Sequence, residues 1–440
     1  MNRPTLVAGF GVLATAGSAF AATTGGDDAQ VNAAATEPAI TIPVLDGHEG
    51  AGGAMWNNGF HIMSADEQHH MRIGARLDFD INFDDSDAAS LDDGGPENDT
   101  IGFRRSRLML EGTSYGSIGY RAVVDFNGQT AGTEFADLYM TLDNFLVGRL
   151  TVGQSFEPFG LEANTYSENI SFQERSLLTQ LATPGRGVGL KVDDFVEDTN
   201  FGWAIGVFSS GGTKGLAGPG AGQLGAAAIP GDATGIGANA LEANYAVPGR
   251  ATFAPMMSED GSEVLHVGAS FTTRGTDTNL ALGGGYDDDT RFAVEAAYVT
   301  GPLSLQFEYL NAAWSGAGTA ADLDVDGVSV QAGYMLTGET RQYSRGSFGG
   351  VVPDSEWSGF GGDGTGAWEA AIRWAQTNVE RNGVVDAGLD QIDVGINWYL
   401  NQHSRFMAGV SIFGGDDNTG GSLGAIQDED SLNFRWQVII

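Results

Sequence analysis

From Met71 to Phe83 the chain alternates. Ile73, Ala75, Leu77, Phe79, Ile81 and Phe83 are apolar, and Arg72, Arg76, Asp78, Asp80 and Asn82 fall between them. Successive side chains of a β-strand point to opposite faces, so such a segment carries oil on one side and water on the other. The pattern returns in Tyr120–Phe126, Leu138–Leu142, Leu265–Phe271, Phe292–Tyr298, Leu303–Tyr309, Val328–Leu336, Trp368–Trp374, Ile392–Leu400, Phe406–Ile412 and Leu432–Ile440. It is weaker in Ile101–Gly112, Leu146–Gln154, Val188–Val192, Trp203–Val207 and Gly237–Tyr245. That makes 16 candidate strands, an even number. Most run for about 7 to 12 residues, close to what a tilted strand needs to cross a bilayer.

The connections alternate as well. Short ones near Tyr115-Gly116, Asp143-Asn144, Thr300-Gly301 and Leu400–Gln402 take turns with long ones at 84–100, 155–185, 209–236, 273–290 and 414–429. Short periplasmic turns and long outer loops produce this order, with both chain ends on the periplasmic side. Thr337–Thr365 is long although parity places it among the turns. Aromatic residues gather at strand ends (Tyr120, Phe126, Tyr298, Tyr309, Tyr334, Trp368, Trp374, Trp398 and Trp436), where girdles at two membrane interfaces would sit. The fold class expected is all-β: a 16-stranded antiparallel transmembrane β-barrel. A soluble β-sandwich also alternates but explains neither the even count nor the girdles.

Composition agrees. Of 440 residues 67 are Gly, 18% are charged and none is Cys, which suits strands joined by Gly-rich loops and rules out disulfides. Arg3, the apolar run Leu6–Ala14 and Ala19-Phe20-Ala21 read as a secretory signal peptide over residues 1–21. Residues 22–58 lack apolar periodicity and contain Pro38 and Pro43, so they are expected to form a flexible periplasmic lead-in, with the barrel over 59–440. Beyond the signal, no run of 18 residues is apolar enough for a membrane helix.

No catalytic group, metal or cofactor is called for. The histidines, His48, His61, His69, His70, His266 and His403, lie in no nucleophile-elbow or zinc-protease context, and adjacent His69 and His70 point to opposite strand faces. With 21 bases against 57 acids, nucleic acid is not an expected partner.

Several motifs together resemble the phosphate-selective porin O and P family. They are Phe103-Arg104-Arg105, the run Phe145–Glu162 followed by Glu174-Arg175-Ser176, Phe253-Ala254-Pro255, Leu336-Thr337-Gly338-Glu339, Gly366-Ala367-Trp368-Glu369 and Asn397-Trp398-Tyr399. The resemblance implies a homotrimer of outer-membrane barrels that passes small ions and hydrophilic solutes. It also implies that the loop at about 154–185 folds inward as a constriction, and that the turn after Leu-Thr-Gly-Glu is extended. This chain departs from the phosphate-specific members at Ala163, where they have Lys, and at Ala136, where they have Asp. Their arginine run in the fifth outer loop is reduced to Arg274, and the chain ends in Ile440 and not Phe.

A net charge of −36 carries little meaning until each residue is given a face. Alternation turns Arg72, Arg76, Arg105, Arg107, Arg121, Arg149, Lys191, Arg291, Arg373 and Arg435 inward. It also turns Asp78, Asp80, Asp125, Asp137, Asp143, Glu295, Glu308, Glu369 and Asp393 inward, so the lumen is nearly balanced and the excess acid lies in loops 84–100 and 414–430. Those loops form either a solvated acidic rim or one that attracts cations and bridges to lipopolysaccharide in the surrounding lipid. Arg105, Arg107, Arg121 and Arg149 fall on the second, third and fifth strands and can share one wall, and Arg175, on the loop that the resemblance folds inward, joins them as a lumen or constriction candidate. Arg104 is ambiguous, because Phe103 and Leu108 imply opposite faces. Arginine forks hold oxyanions, but these side chains can equally pair with Asp125, Asp137 and Asp143 to brace the wall. An anion-passing porin is therefore the first expectation, a general or mildly cation-favouring porin the second, and an outer-membrane hydrolase or adhesin the third.

Overall fold

The computed structural model describes residues 40–42, 52–86, 99–127, 133–209, 245–280, 284–316, 322–417 and 429–440. The expected signal peptide, most of the lead-in and the acidic stretches 87–98 and 418–428 lie outside the described residues.

Sixteen long strands form the wall: β1 His69–Ser86, β2 Thr100–Ser114, β3 Ile118–Asp125, β4 Glu134–Phe145, β5 Gly148–Phe156, β6 Arg186–Val196, β7 Phe201–Ser209 and β8 Tyr245–Met257. They continue as β9 Glu263–Leu280, β10 Gly284–Thr300, β11 Leu303–Gly316, β12 Leu323–Met335, β13 Ala367–Arg381, β14 Val384–Asn401, β15 Ser404–Asp417 and β16 Glu429–Ile439. Each pairs antiparallel with the next, and β16 pairs with β1, from Glu429 opposite Ser86 to Ile439 opposite Arg76, which closes the sheet. Closure leaves no open edge, the condition a sheet must meet in lipid. Below the closing pair, Phe60–Met63 continues along the same edge of β1, with Phe60 opposite Ile73, and carries Gly53–Trp56 as a hairpin partner. Ile40–Ile42 adds to that hairpin, so part of the 22–58 segment is strand.

The alternation reads out on the two faces. Phe271, Phe292, Leu305, Phe307 and Val330 stay exposed on the outside, and Ser270, Arg291, Gln306 and Ser329 beside them are buried inside. A barrel with an oily exterior and a polar interior is the transmembrane form of the pattern. On the outer face the Trp368, Trp398, Phe406 and Trp436 rings stack in sequence at 5.1, 6.0 and 5.4 Å, at the periplasmic ends of β13–β16.

Two expectations are corrected. The eighth strand is Tyr245–Met257 and not Gly237–Tyr245, of which all but Tyr245 lies outside the described residues. Pro248 and Pro255 hide it, since proline removes a ladder donor, yet both are accommodated in this strand. The connection 273–290 is mostly strand: β9 and β10 run through it, and Arg274 pairs opposite Asp289 inside the ladder and not in a loop.

Candidate functional site

The segment between β5 and β6, residues 157–185, turns into the barrel. Glu157 N–H donates to Gly185 O at 2.9 Å and closes its neck. It holds two short helices, α1 Leu161–Asn164 and α2 Leu177–Ala182. Gly160 enters α1 at φ +73°, a conformation open to glycine without strain, and the N–H groups of Leu161 and Glu162 donate to the Glu308 carboxylate on β11 at 2.6 and 2.9 Å. In α2 the Ser176 hydroxyl accepts from Thr179 N–H at 3.2 Å. Leu178 and Leu181 bury themselves with Phe159 against Leu310, Leu323, Val379 and Leu389, a patch of apolar residues facing the lumen on β11–β14.

Ion pairs tie this loop around the interior. Glu157 meets Arg274 at 2.7 Å, Glu162 meets Arg373 at 2.7 Å, Glu168 meets Arg76 at 2.6 Å, and Glu174 meets Arg105 at 3.0 Å and Arg435 at 2.9 Å. Burial alone would push the Glu174 carboxyl up, but Arg104, Arg105 and Arg435 outweigh it and hold it well below the usual carboxylate range.

From the other end the long turn 336–366 also folds inward. Tyr343 and Phe348 pack with Leu161, Val264 and Val299, and Val351 packs with Met335, Ala367 and Tyr399. The Tyr343 hydroxyl lies 2.6 Å from Nδ1 of fully buried His266, whose Nε2 lies 3.1 Å from Glu295. Arg341 donates to Asn169 O at 2.9 Å, so the two inward segments touch. His69 and His70 diverge as a strand requires: His70 bonds His61 at 2.8 Å, and His69 meets the Tyr115 ring edge-on at 4.8 Å.

Between the inward loop and the wall of β1–β6 a recess remains. Seven arginines, Arg76, Arg104, Arg105, Arg107, Arg121, Arg175 and Arg186, line it with five carboxylates, Asp125, Glu134, Asp137, Glu168 and Glu174. Of the arginines singled out from the sequence, Arg104, Arg105, Arg107, Arg121 and Arg175 come together there. Arg149 does not: it sits near the periplasmic start of β5 and pairs with Asp193 at 2.8 Å.

The local reasons are legible. Asp78 pairs opposite Arg105 and Phe79 opposite Phe103, so Arg104 is the extra residue of a β-bulge. The bulge swings Arg104 inward to Glu174 at 3.3 Å and resolves its ambiguous face. Arg107 pairs with Asp125 at 2.7 Å, and Arg121 reaches both Glu111 and Asp137, the latter at 3.7 Å. Arg175 is turned into the loop, donating to the carbonyls of Glu162, Ala163 and Thr165 at 2.9, 3.2 and 2.6 Å.

Arg186 was not legible. Alternation gives it the face of Val188 and Leu190, but as the first residue of β6 it turns in to Asp137 at 2.6 Å and covers the Phe156 ring at 3.8 Å. Ala136 lines the recess, where the resemblance implies Asp, while Ala163 is buried within α1.

Comparison with known proteins supports the same assignment. A profile of the phosphate-selective porin O and P family matches residues 73–439. Porin O of Pseudomonas aeruginosa is 26% identical over 406 residues, covering 80% of this chain and 84% of that protein. An uncharacterized protein of Caulobacter vibrioides is 28% identical over 185 residues, 37% of this chain and 36% of that one. Among solved structures, an anion-selective porin from Comamonas acidovorans shares the fold at a TM-score of 0.51 and 13% identity, over 84% of this chain and 100% of that one. OmpF of Salmonella typhi does so at a TM-score of 0.53 and 12% identity, over 88% of this chain and 100% of its own. The chain belongs to the phosphate-selective porin O and P family and is an outer-membrane porin, an integral barrel for passive diffusion of small hydrophilic solutes.

Proposed function

We propose that this porin favours small anions, phosphate among them, and that Arg104, Arg105, Arg107 and Arg121 form the wall past which they move. The observation carrying this reading is the charge around the recess: seven guanidinium groups against five carboxylates, in a chain whose total charge is −36. Guanidinium forks are weakly hydrated and suited to oxyanions, and a dispersed set binds weakly enough to release. Arg175 acts differently, as a staple that fixes the inward loop. Arg149 with Lys191 and Asp193 forms a separate charged group nearer the periplasmic exit. Trimeric assembly, export by residues 1–21 and contact of the acidic outer loops with lipopolysaccharide belong to the same reading.

A mildly cation-favouring porin is the competing reading, favoured by the carboxylate partner held by each of Arg104, Arg105, Arg107, Arg121 and Arg186. The test is the reversal potential in a planar bilayer under a salt gradient, repeated with millimolar phosphate. Anion preference with partial block by phosphate, both weakened in Arg107→Ala, supports the proposal. Cation preference, with no effect of phosphate, overturns it.

A further inference from the structure

The recess is not cationic throughout. Along β2 the inward residues run Arg107, Met109, Glu111, and along β3 they run Asp125, Val123, Arg121; Met109 pairs directly opposite Val123. The pair of apolar residues therefore lies between two ion-pair rungs, Arg107 with Asp125 and Arg121 with Glu111. The rungs stand two residues of strand apart on either side, about 7 Å each way. Ala136, set inward beside Asp137 by a register shift on β4, widens the apolar floor, and Ile439 packs on it from the closing strand. Across the recess the Phe156 ring lies under Arg186, and the Tyr166 ring lies 5.5 Å from the Arg121 guanidinium.

We propose that this recess is a subsite for small carboxylates that carry an apolar body. The carboxylate is taken by the Arg107 and Arg186 guanidinium groups, and the body lies over Met109, Val123 and Ile439. The inference rests on the anion reading above and narrows it. A tetrahedral inorganic anion carries no apolar surface to set against this floor, whose Met109, Val123 and Ala136 side chains are already buried. An aryl or branched-alkyl carboxylate takes its own apolar body out of water by packing on the floor, which is favourable in proportion to the apolar area removed.

The test is block of chloride current through the wild-type channel in a planar bilayer, titrated separately with benzoate, acetate, inorganic phosphate and neutral benzamide. Half-block by benzoate is expected at a concentration about tenfold below that of acetate and below that of phosphate, with no block by benzamide. In Met109→Gln, which keeps the side-chain length, benzoate is expected to fall back toward acetate while acetate is unchanged. Equal block by benzoate and acetate in the wild type, tightest block by phosphate, or an unchanged benzoate-to-acetate ratio in M109Q overturns the inference. The wild-type comparison decides even when the variant fails to insert. Loss of anion preference in the reversal potential sinks the anion reading itself, whereas anion preference without discrimination between carboxylates sinks the subsite alone.

Discussion

Glu174, on the inward loop, accepts hydrogen bonds from both terminal nitrogens of Arg105, at 3.1 and 3.0 Å, across 69 residues of sequence. The same carboxylate takes Arg435 at 2.9 Å and Arg104 at 3.3 Å, so one side chain fastens the loop to β2 and to the closing strand together. Three guanidinium groups lose their shared counter-charge in Glu174→Gln. Breaking a buried pair costs about 3–5 kcal/mol, and here the loss falls on the attachment of the loop rather than on the barrel. Single-channel records of E174Q should show larger current fluctuations and a new protease-sensitive site within residues 166–176, with the barrel still formed.

The acid response follows from the same group. Because its folded-state pKa is depressed, the carboxylate's contribution is complete above the ordinary carboxylate range and is lost only as pH falls through the depressed value. Conductance fluctuations attributable to the loop should therefore stay flat from pH 7 to about 4, the range in which an ordinary Glu begins to protonate. A rise in fluctuations near the ordinary value contradicts this.

The two arginine groups should separate functionally. Arg107→Ala removes a guanidinium lining the recess, whereas Arg149→Ala removes one paired with Asp193 away from it. Reversal potentials measured side by side should shift toward cations in R107A and move far less in R149A.

Tyr343→Phe deletes one hydroxyl and leaves Nδ1 of a fully buried His266 without the partner it has at 2.6 Å. An unsatisfied buried polar group costs about 1–3 kcal/mol. Hydrogen exchange over residues 341–350 should quicken by roughly tenfold or more, the equivalent of about 1.4 kcal/mol, while β13 and β14 keep their protection.

Leu178→Ala truncates a side chain buried between α2 and the wall. Such truncations cost about 2–5 kcal/mol. The expected outcome is a loosened loop and higher mean conductance, read from single channels, without loss of the folded barrel.

How far the sequence could be read depends on how local the information was. Strands such as Met71–Phe83 and Trp368–Trp374 announce themselves because alternation is a property of neighbours. The same rule fails where the chain departs from strict period two. At Arg104 a bulge shifts the count, and at Arg186 a strand begins beside the loop neck, so each face is set by a partner elsewhere, Glu174 or Asp137. The eighth strand was lost to Pro248 and Pro255, whose effect on a ladder depends on neighbours not visible in sequence. Glu157, Glu162, Glu168 and Glu174 carry no periodic signal; their spacing acquires meaning only when the loop is folded against Arg274, Arg373, Arg76 and Arg105. The inward course of 336–366 was legible as length but not as destination.

The seam between the last strand and the first bears on assembly. Each other pairing in the wall joins neighbours along the chain, but Arg435 meets Asp80 across 355 residues, so the ring can close only after nearly all of it exists. Until then β1 offers a bare edge. The hairpin ending at Met63 occupies its lower part, and Ile440 exchanges hydrogen bonds with Ala75 at 2.8 and 2.7 Å immediately above it. The first strand thus arrives with its docking berth already shortened to the length of the last. A strand sliding toward the hairpin meets a stop at Ile73, which opposes a one-residue slip in that direction, one that would turn Arg435 and Gln437 toward the lipid.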